Sequence, residues 1–185
     1  MRHNPTNAHR LHKHRKGECE MKIWIIGCSG SGKSYLAKKL SQKHNLPHFD
    51  LDDLQWDNTQ NSYGVKMPVE KRDQMLSDIL IKNNWIIEGV YYGWVQQSFE
   101  DADIIYVLDV PKRLYITRII RRFIRRKIGK EKGKKETFKS LFNLLKWTNT
   151  FQNKNMEEIK EILSPYNSKT IYLKSKYEIN KVLNH

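Results

Sequence analysis

The chain has 185 residues, 38% of them hydrophobic and 29% charged, and its 34 Lys and Arg against 20 Asp and Glu give a net charge of +14. That length suits one domain with a sizeable core plus appendages, and no apolar run approaches the roughly 18 residues a membrane span needs. A spanning protein is excluded, and Cys19 and Cys28, nine positions apart, make neither a disulfide framework nor a zinc spacing, so a reducing cytoplasm is the expected location.

The first twenty residues are basic and hold four of the seven histidines without a period. They have no apolar stretch after the charges, so they do not read as a secretory signal. Their composition predicts a disordered basic leader over 1–20, with Met21 as a candidate translation start, and one domain over 21–185. Residues 1–20 contribute five basic and two acidic groups and residues 112–135 twelve basic and one acidic, so one segment carries most of the imbalance.

In chain order, Lys22 to Ile26 is an apolar run ending in glycine, which predicts a strand, and Leu36, Ala37 and Leu40 have helical spacing. A second short strand is expected near Pro47 to Asp50, followed by a polar loop over 55–67 and a helix opened by Pro68. Trp85 to Gly89 and Ile104 to Asp109 read as strands covered on both faces. A helix follows Pro111 to about Lys127, then a lysine-rich loop, then a stretch from Thr137 to Leu163 that is two helices or one bent helix. Thr170 to Leu173 makes a fifth strand and Tyr177 to Leu183 a closing helix. Strands alternating with helices predict an α/β fold with a parallel sheet and helices on both faces.

Between the first strand and helix lies Gly27-Cys28-Ser29-Gly30-Ser31-Gly32-Lys33-Ser34, matching G-x-x-x-x-G-K-[ST] in the strand-loop-helix context that this motif requires. Gly27, Gly30 and Gly32 let backbone N–H groups, including those of Ser29 and Ser31, turn onto phosphates. Lys33 supplies a point charge at the β and γ phosphates, and the Ser34 hydroxyl is placed to ligate Mg²⁺. ATP and Mg²⁺ are the expected ligands. Cys28 reads as a small filler rather than a redox switch.

Nucleotide binding alone does not choose a reaction. A GTPase is disfavoured because Asn153-Lys154-Asn155-Met156 lacks the aspartate of N-K-x-D, and a motor ATPase because Val110, not a second acid, follows Leu108-Asp109. Asp50-Leu51-Asp52 follows the second strand, whose carboxyl end faces the shared crevice of a parallel sheet. Asp52 is placed to orient or deprotonate an acceptor hydroxyl, or to position a Mg²⁺-bound water. The alternative is that these acids cap the next helix, the role assigned to Asp53. Glu88 ends a buried strand, where a carboxylate is costly unless paired, which suggests a role behind the magnesium or at the acceptor. Tyr91, Tyr92 and Trp94 either line the acceptor pocket or pack the fold. Arg118, Arg121, Arg122 and Arg125 share one helical face, either closing over phosphates in a transition state or remaining a solvated basic surface.

Together these segments resemble the adenylate-kinase-related P-loop kinases, and more closely the group labelled DNA topology modulation proteins (FlaR-like). The resemblance rests on M-K-I-W-I-I-G-C-S-G-S-G-K-S at 21–34, L-P-H-F-D-L-D-D-L-Q-W at 46–56, W-I-I-E-G-V-Y at 85–91 and D-A-D-I-I-Y-V-L-D-V-P at 101–111. It implies a three-layer fold whose five-stranded sheet has the order 2-3-1-4-5, an arginine lid over about 112–136, and transfer of the ATP γ-phosphate to a small nucleoside, nucleotide or metabolite. By position it makes Lys33 and Ser34 the phosphate and magnesium residues, Asp52 the acceptor-side acid, Glu88 the third-strand acid, and Arg118, Arg121, Arg122 and Arg125 lid candidates. Glu88-Gly89-Val90-Tyr91-Tyr92 stands where adenylate kinases carry D-G-x-P-R, so adenylate is not the implied acceptor. Nucleic acid is the alternative partner, favoured by the charge over 112–135 but without a helix-turn-helix or zinc pattern to read it. A monomer or dimer is expected.

Overall fold

In a computed structural model the structure describes residues 20–57, 59, 64–130 and 137–184; the basic leader, apart from Glu20, and most of the lysine-rich loop lie outside these. Five strands, β1 Lys22–Gly27, β2 His48–Asp50, β3 Trp85–Gly89, β4 Ile104–Leu108 and β5 Thr170–Leu173, form a parallel sheet in the order β2-β3-β1-β4-β5. The expected order 2-3-1-4-5 is the observed one. Successive side chains alternate across the sheet, so Ile23, Ile25, Ile86, Tyr106 and Leu108 enter one core, and Trp24, Ile26, Ile87, Ile105 and Val107 the other.

The first core is covered by α1 Lys33–His44, through Leu36, Ala37 and Leu40, and by α8 Lys176–Asn184, through Ile179. The second is covered by Leu51 and Leu54 of α2 Leu51–Gln55, Leu76, Ile79 and Leu80 of α3 Val69–Leu80, and Phe99 of α4 Gln96–Asp101. Phe151, Met156, Ile159 and Leu163 close it from the C-terminal side. At its centre Trp24, fully buried, donates from Nε1 to Ser98 Oγ at 2.6 Å and lies 5.0 Å from the Phe99 ring. That bond satisfies the one polar atom of a large buried ring.

Helix α5 Lys112–Lys127 buries Tyr115, Ile119 and Phe123, and Phe123 packs on Phe138 at 5.1 Å between ring centroids. The stretch expected as two helices or one bent one is a continuous helical run. It consists of α6 Phe138–Thr150, a π turn Phe151–Asn155, and α7 Met156–Leu163. Two short elements have no counterpart in the sequence reading: α4, and a 3₁₀ turn Ser164–Lys169 before β5.

Candidate active site

The phosphate loop leaves β1 at Gly27 and enters α1 at Lys33, with Ser31 N donating to Cys28 O at 3.1 Å. Gly30 and Gly32 have φ of 78° and 112°. A Cβ at Gly30 would also lie 2.9 Å from Tyr115 O, so glycine is needed there both for the turn and for the approach of α5. Helix α1 has no side-chain cap and no acid in its first turn, so its N–H groups and positive dipole end are open to an anion. Cys28 is buried and its thiol is pushed up to about 11 by burial, so it stays protonated at neutral pH.

The parallel register puts Glu88 opposite Asp50 on one side and Ile25 on the other. His48, Asp50 and Glu88 therefore stand on the face of the sheet that α1 covers. Glu88 is fully buried. Its Oε2 lies 3.5 Å from Lys33 Nζ and its Oε1 lies 3.7 Å from His48 Nε2. Among the described residues neither oxygen has a hydrogen-bond partner of good geometry, and neither does His48 Nε2. Burial pushes the Glu88 carboxyl up, but His48, Lys33 and the nearby Ser34 hydroxyl outweigh it, and the group is held below its ordinary value. Asp50 moves the other way, up to about 6, through burial first and then the charge of Glu88. The two acids divide their roles: Glu88 keeps the negative charge and Asp50 holds a proton more tightly than an ordinary aspartate.

The sequence reading gave helix capping to Asp53, and this is corrected: the residue before α2 is Asp50, whose Oδ1 accepts from Asp52 N at 2.9 Å. Asp53 lies inside the first turn of α2, three positions past the cap. Asp52 is exposed and accepts on Oδ1 from the Tyr91 hydroxyl at 2.7 Å. Tyr91 packs on Trp94 at 5.6 Å, and Arg72 of α3 lies 4.2 Å over the Trp94 ring. A carboxylate at the carboxyl end of β2 is thus backed by an aromatic and cationic wall.

The four arginines expected to act together are distributed differently. Arg118 donates from Nη1 to Gly30 O at 3.1 Å and to Ser31 O at 2.6 Å, so it grips two carbonyls of the loop. Arg121 and Arg125 are exposed and border an outer groove with Ile120, Ile124 and Ile128, and Arg122 is half-buried. On the far side of the loop, Thr148 O of α6 lies 4.0 Å from Cys28 Sγ. The loop is held between α5 and α6.

The structure brings together Lys33, Ser34 and Glu88 beside the loop glycines, and sets Asp52 two residues past Asp50, the register partner of Glu88. His48 joins Glu88, and Tyr91 joins Asp52. His48 carried a signal: it stands two residues before Asp50 on a strand, and so on the same face. The residues fit a nucleotide phosphate with its Mg²⁺. The open start of α1 suits the anion, and the buried oxygens of Glu88, which have ion-pair neighbours but no hydrogen bond of good geometry among the described residues, suit a group that brings donors of its own.

A family model described as AAA domain (AAA_18) matches residues 23–139, more than half of the chain. The chain belongs to this AAA domain family. The match begins in β1 and ends in α6, and so contains the loop, both crevice acids and the arginine helix. Over 136 residues the chain is 26% identical to the uncharacterized protein YqaC of Bacillus subtilis, covering 73% of this chain and 75% of that one. Over 89 residues it is 27% identical to an adenylate kinase of Lachnoclostridium phytofermentans, covering 48% of this chain and 39% of that one. Among solved structures the fold is similar to a gluconokinase from Sinorhizobium meliloti, with a TM-score of 0.52, 14% identity and coverage of 91% and 90%. It is also similar to a shikimate kinase from Bacteroides thetaiotaomicron, with a TM-score of 0.51, 17% identity and coverage of 89% and 94%. The shared fold is that of P-loop kinases. Among the described residues no helix is long and apolar enough to cross a membrane.

Proposed function

We propose that this protein is an ATP-dependent P-loop phosphotransferase of the cytoplasm that moves the γ-phosphate to a hydroxyl of a small nucleoside, nucleotide or metabolite. The observation that carries this reading is the convergence of Lys33, Ser34 and a fully buried Glu88 at the carboxyl ends of β1 and β3, with Asp50 opposite Glu88 at the end of β2 and Asp52 two residues further on in α2. The fold shared with a gluconokinase and a shikimate kinase and the partial likeness to an adenylate kinase support it.

In this reading the loop from Gly27 to Ser34 orients the phosphates through N–H groups such as those of Ser29, Gly30, Gly32 and Ser34, the Ser31 N–H being used within the loop on Cys28 O, and Lys33 neutralises charge on the β and γ groups. Ser34 ligates Mg²⁺ and Glu88 stands behind it; when bound, the metal neutralises phosphate charge and fixes the polyphosphate geometry. Asp52 orients the acceptor hydroxyl and takes its proton, and the Tyr91 hydroxyl fixes which carboxylate oxygen is free to do so. Arg118 stiffens the loop from behind, and Arg121, Arg122 and Arg125 belong to a lid over about 112–136 within a domain spanning 21–185. The finer placement among the DNA topology modulation proteins rests on the motif segments quoted above.

The test is ATP consumption across a panel of nucleosides, nucleotides and phosphorylatable metabolites. An acceptor-dependent rate that Lys33→Ala abolishes is expected; a rate at background throughout the panel refutes the reading. A nucleic-acid-binding NTPase is the second reading, favoured by the twelve basic groups over 112–135. Its binding would weaken with salt in proportion to the phosphates neutralised, so a DNA titration at two salt concentrations separates the two.

A further inference from the structure

His48 has no role in the reaction just described, yet it is the first residue of β2 and its ring reaches the most deeply buried charge in the crevice. Glu88 is approached on two different oxygens: Lys33 at Oε2 and His48 at Oε1. The side chains of Lys33 and His48 are only 13% and 17% exposed, so neither contact is a surface pair that water would replace without cost. In the nucleotide reading the phosphates draw the charge of Lys33 toward themselves. That leaves a fully buried carboxylate short of its counter-charge, with Asp50 as a second acid beside it. His48 is the remaining basic side chain at Glu88 among the described residues. Its Nε2, at 3.7 Å with no hydrogen-bond partner, needs to move by less than about 1 Å to donate a normal hydrogen bond to Oε1. A neutral ring with its proton on Nε2 suffices for this donation.

We infer that His48 is a positioning residue that holds Glu88 in place when bound nucleotide draws Lys33 away, and so couples the phosphate loop to the edge strand β2. This rests on the ATP reading above. Filling the loop takes a partner from Oε2, and the bond to Oε1 keeps the carboxylate fixed and its remaining oxygen turned toward Ser34. With Mg²⁺ present, positive charge enters on the Ser34 side and the need for His48 falls. With ATP alone, His48 is the only one of the two compensations available.

The test is calorimetric titration of the full chain with ATP in EDTA and with MgATP, on the wild type, His48→Ala, His48→Gln, Glu88→Gln and the double variant His48→Ala/Glu88→Gln. His48→Ala is expected to weaken metal-free ATP binding by about tenfold, the scale of a lost hydrogen bond to a buried charge, and MgATP binding by less than about threefold. His48→Gln, whose amide nitrogen reaches the position of Nε2, is expected to recover most of the loss. In the Glu88→Gln background the His48→Ala effect is expected to vanish, because the charge it serves is gone. Equal weakening of ATP and MgATP, a loss that persists in that background, or a His48→Ala variant that binds as the wild type does overturns the inference while leaving the nucleotide reading standing. A wild-type protein that binds neither form overturns both.

Discussion

Replacing Asp50 by Asn tests whether two acids of the crevice share one charge. The folded protein raises this carboxyl from 3.8 to about 6, through burial and then the charge of Glu88. The sign follows from which state holds the proton. Below pH 4 both folded and unfolded chains are protonated and nothing is lost; between pH 4 and 6 the unfolded chain releases its proton first, so stability falls as pH rises; above pH 6 the loss is complete. A shift of about two pH units corresponds to about 3 kcal/mol at most, and partial exposure of Asp50 reduces this to about 1–2 kcal/mol. The asparagine carbonyl can still accept from Asp52 N, so the cap of α2 survives. For a chain of this size the variant is expected to melt about 3–6 °C above the wild type at pH 7.5 and alongside it near pH 4, measured by circular dichroism in EDTA at constant ionic strength. A difference that stays constant with pH, or a wild type that gains stability relative to the variant as pH rises, refutes the shared charge.

Gly30→Ala meets both a φ of 78° and the Tyr115 carbonyl, and is expected to lower stability by on the order of 2 kcal/mol or more, seen as a lower denaturant midpoint. Arg118→Met keeps the aliphatic stem but removes both donations to the loop carbonyls; about a tenfold loss of ATP affinity is expected by calorimetry, and unchanged affinity would show that the loop holds its shape alone. Tyr91→Phe removes the bond to Asp52, the proposed acceptor-side acid, and is expected to leave ATP affinity within about twofold and stability within about 1 kcal/mol, while lowering any acceptor-dependent rate.

The strands were legible because four of them are uninterrupted apolar runs, and the phosphate loop because its glycines and lysine have fixed spacing between such a run and a helix. The spacing of Arg118, Arg121, Arg122 and Arg125 correctly put them on one helix. It carried no information about what that helix touches, and so missed that Arg118 faces the loop carbonyls. The cap is not legible because Asp50, Asp52 and Asp53 are all capping residue types within four positions, and only where the three-residue β2 ends decides which of them precedes the helix. Helix α4 has six residues and no side-chain cap, too few for a periodic signal. The pairing of His48 is not legible in the sequence because its partner, Glu88, is forty residues away and meets it only through the register of β2 on β3.

The π turn at Phe151–Asn155 makes the length of its segment matter more than its composition. It holds one more residue than an α turn would, so α7 is rotated by roughly 100° relative to where an unbroken α6 would have placed it. That offset lets Gln152 donate to Asp109 at 2.8 Å and Asn155 to the Tyr92 hydroxyl at 2.9 Å, while Thr148, one turn earlier, rests on Cys28 of the loop. Asn153 and Lys154 are exposed between these anchors. The fold therefore tolerates exchange of either side chain, but deleting one residue here would restore the α spacing and dephase the helix that rests on the loop of residues 27–34 from the one whose Glu158 accepts from the Tyr92 hydroxyl.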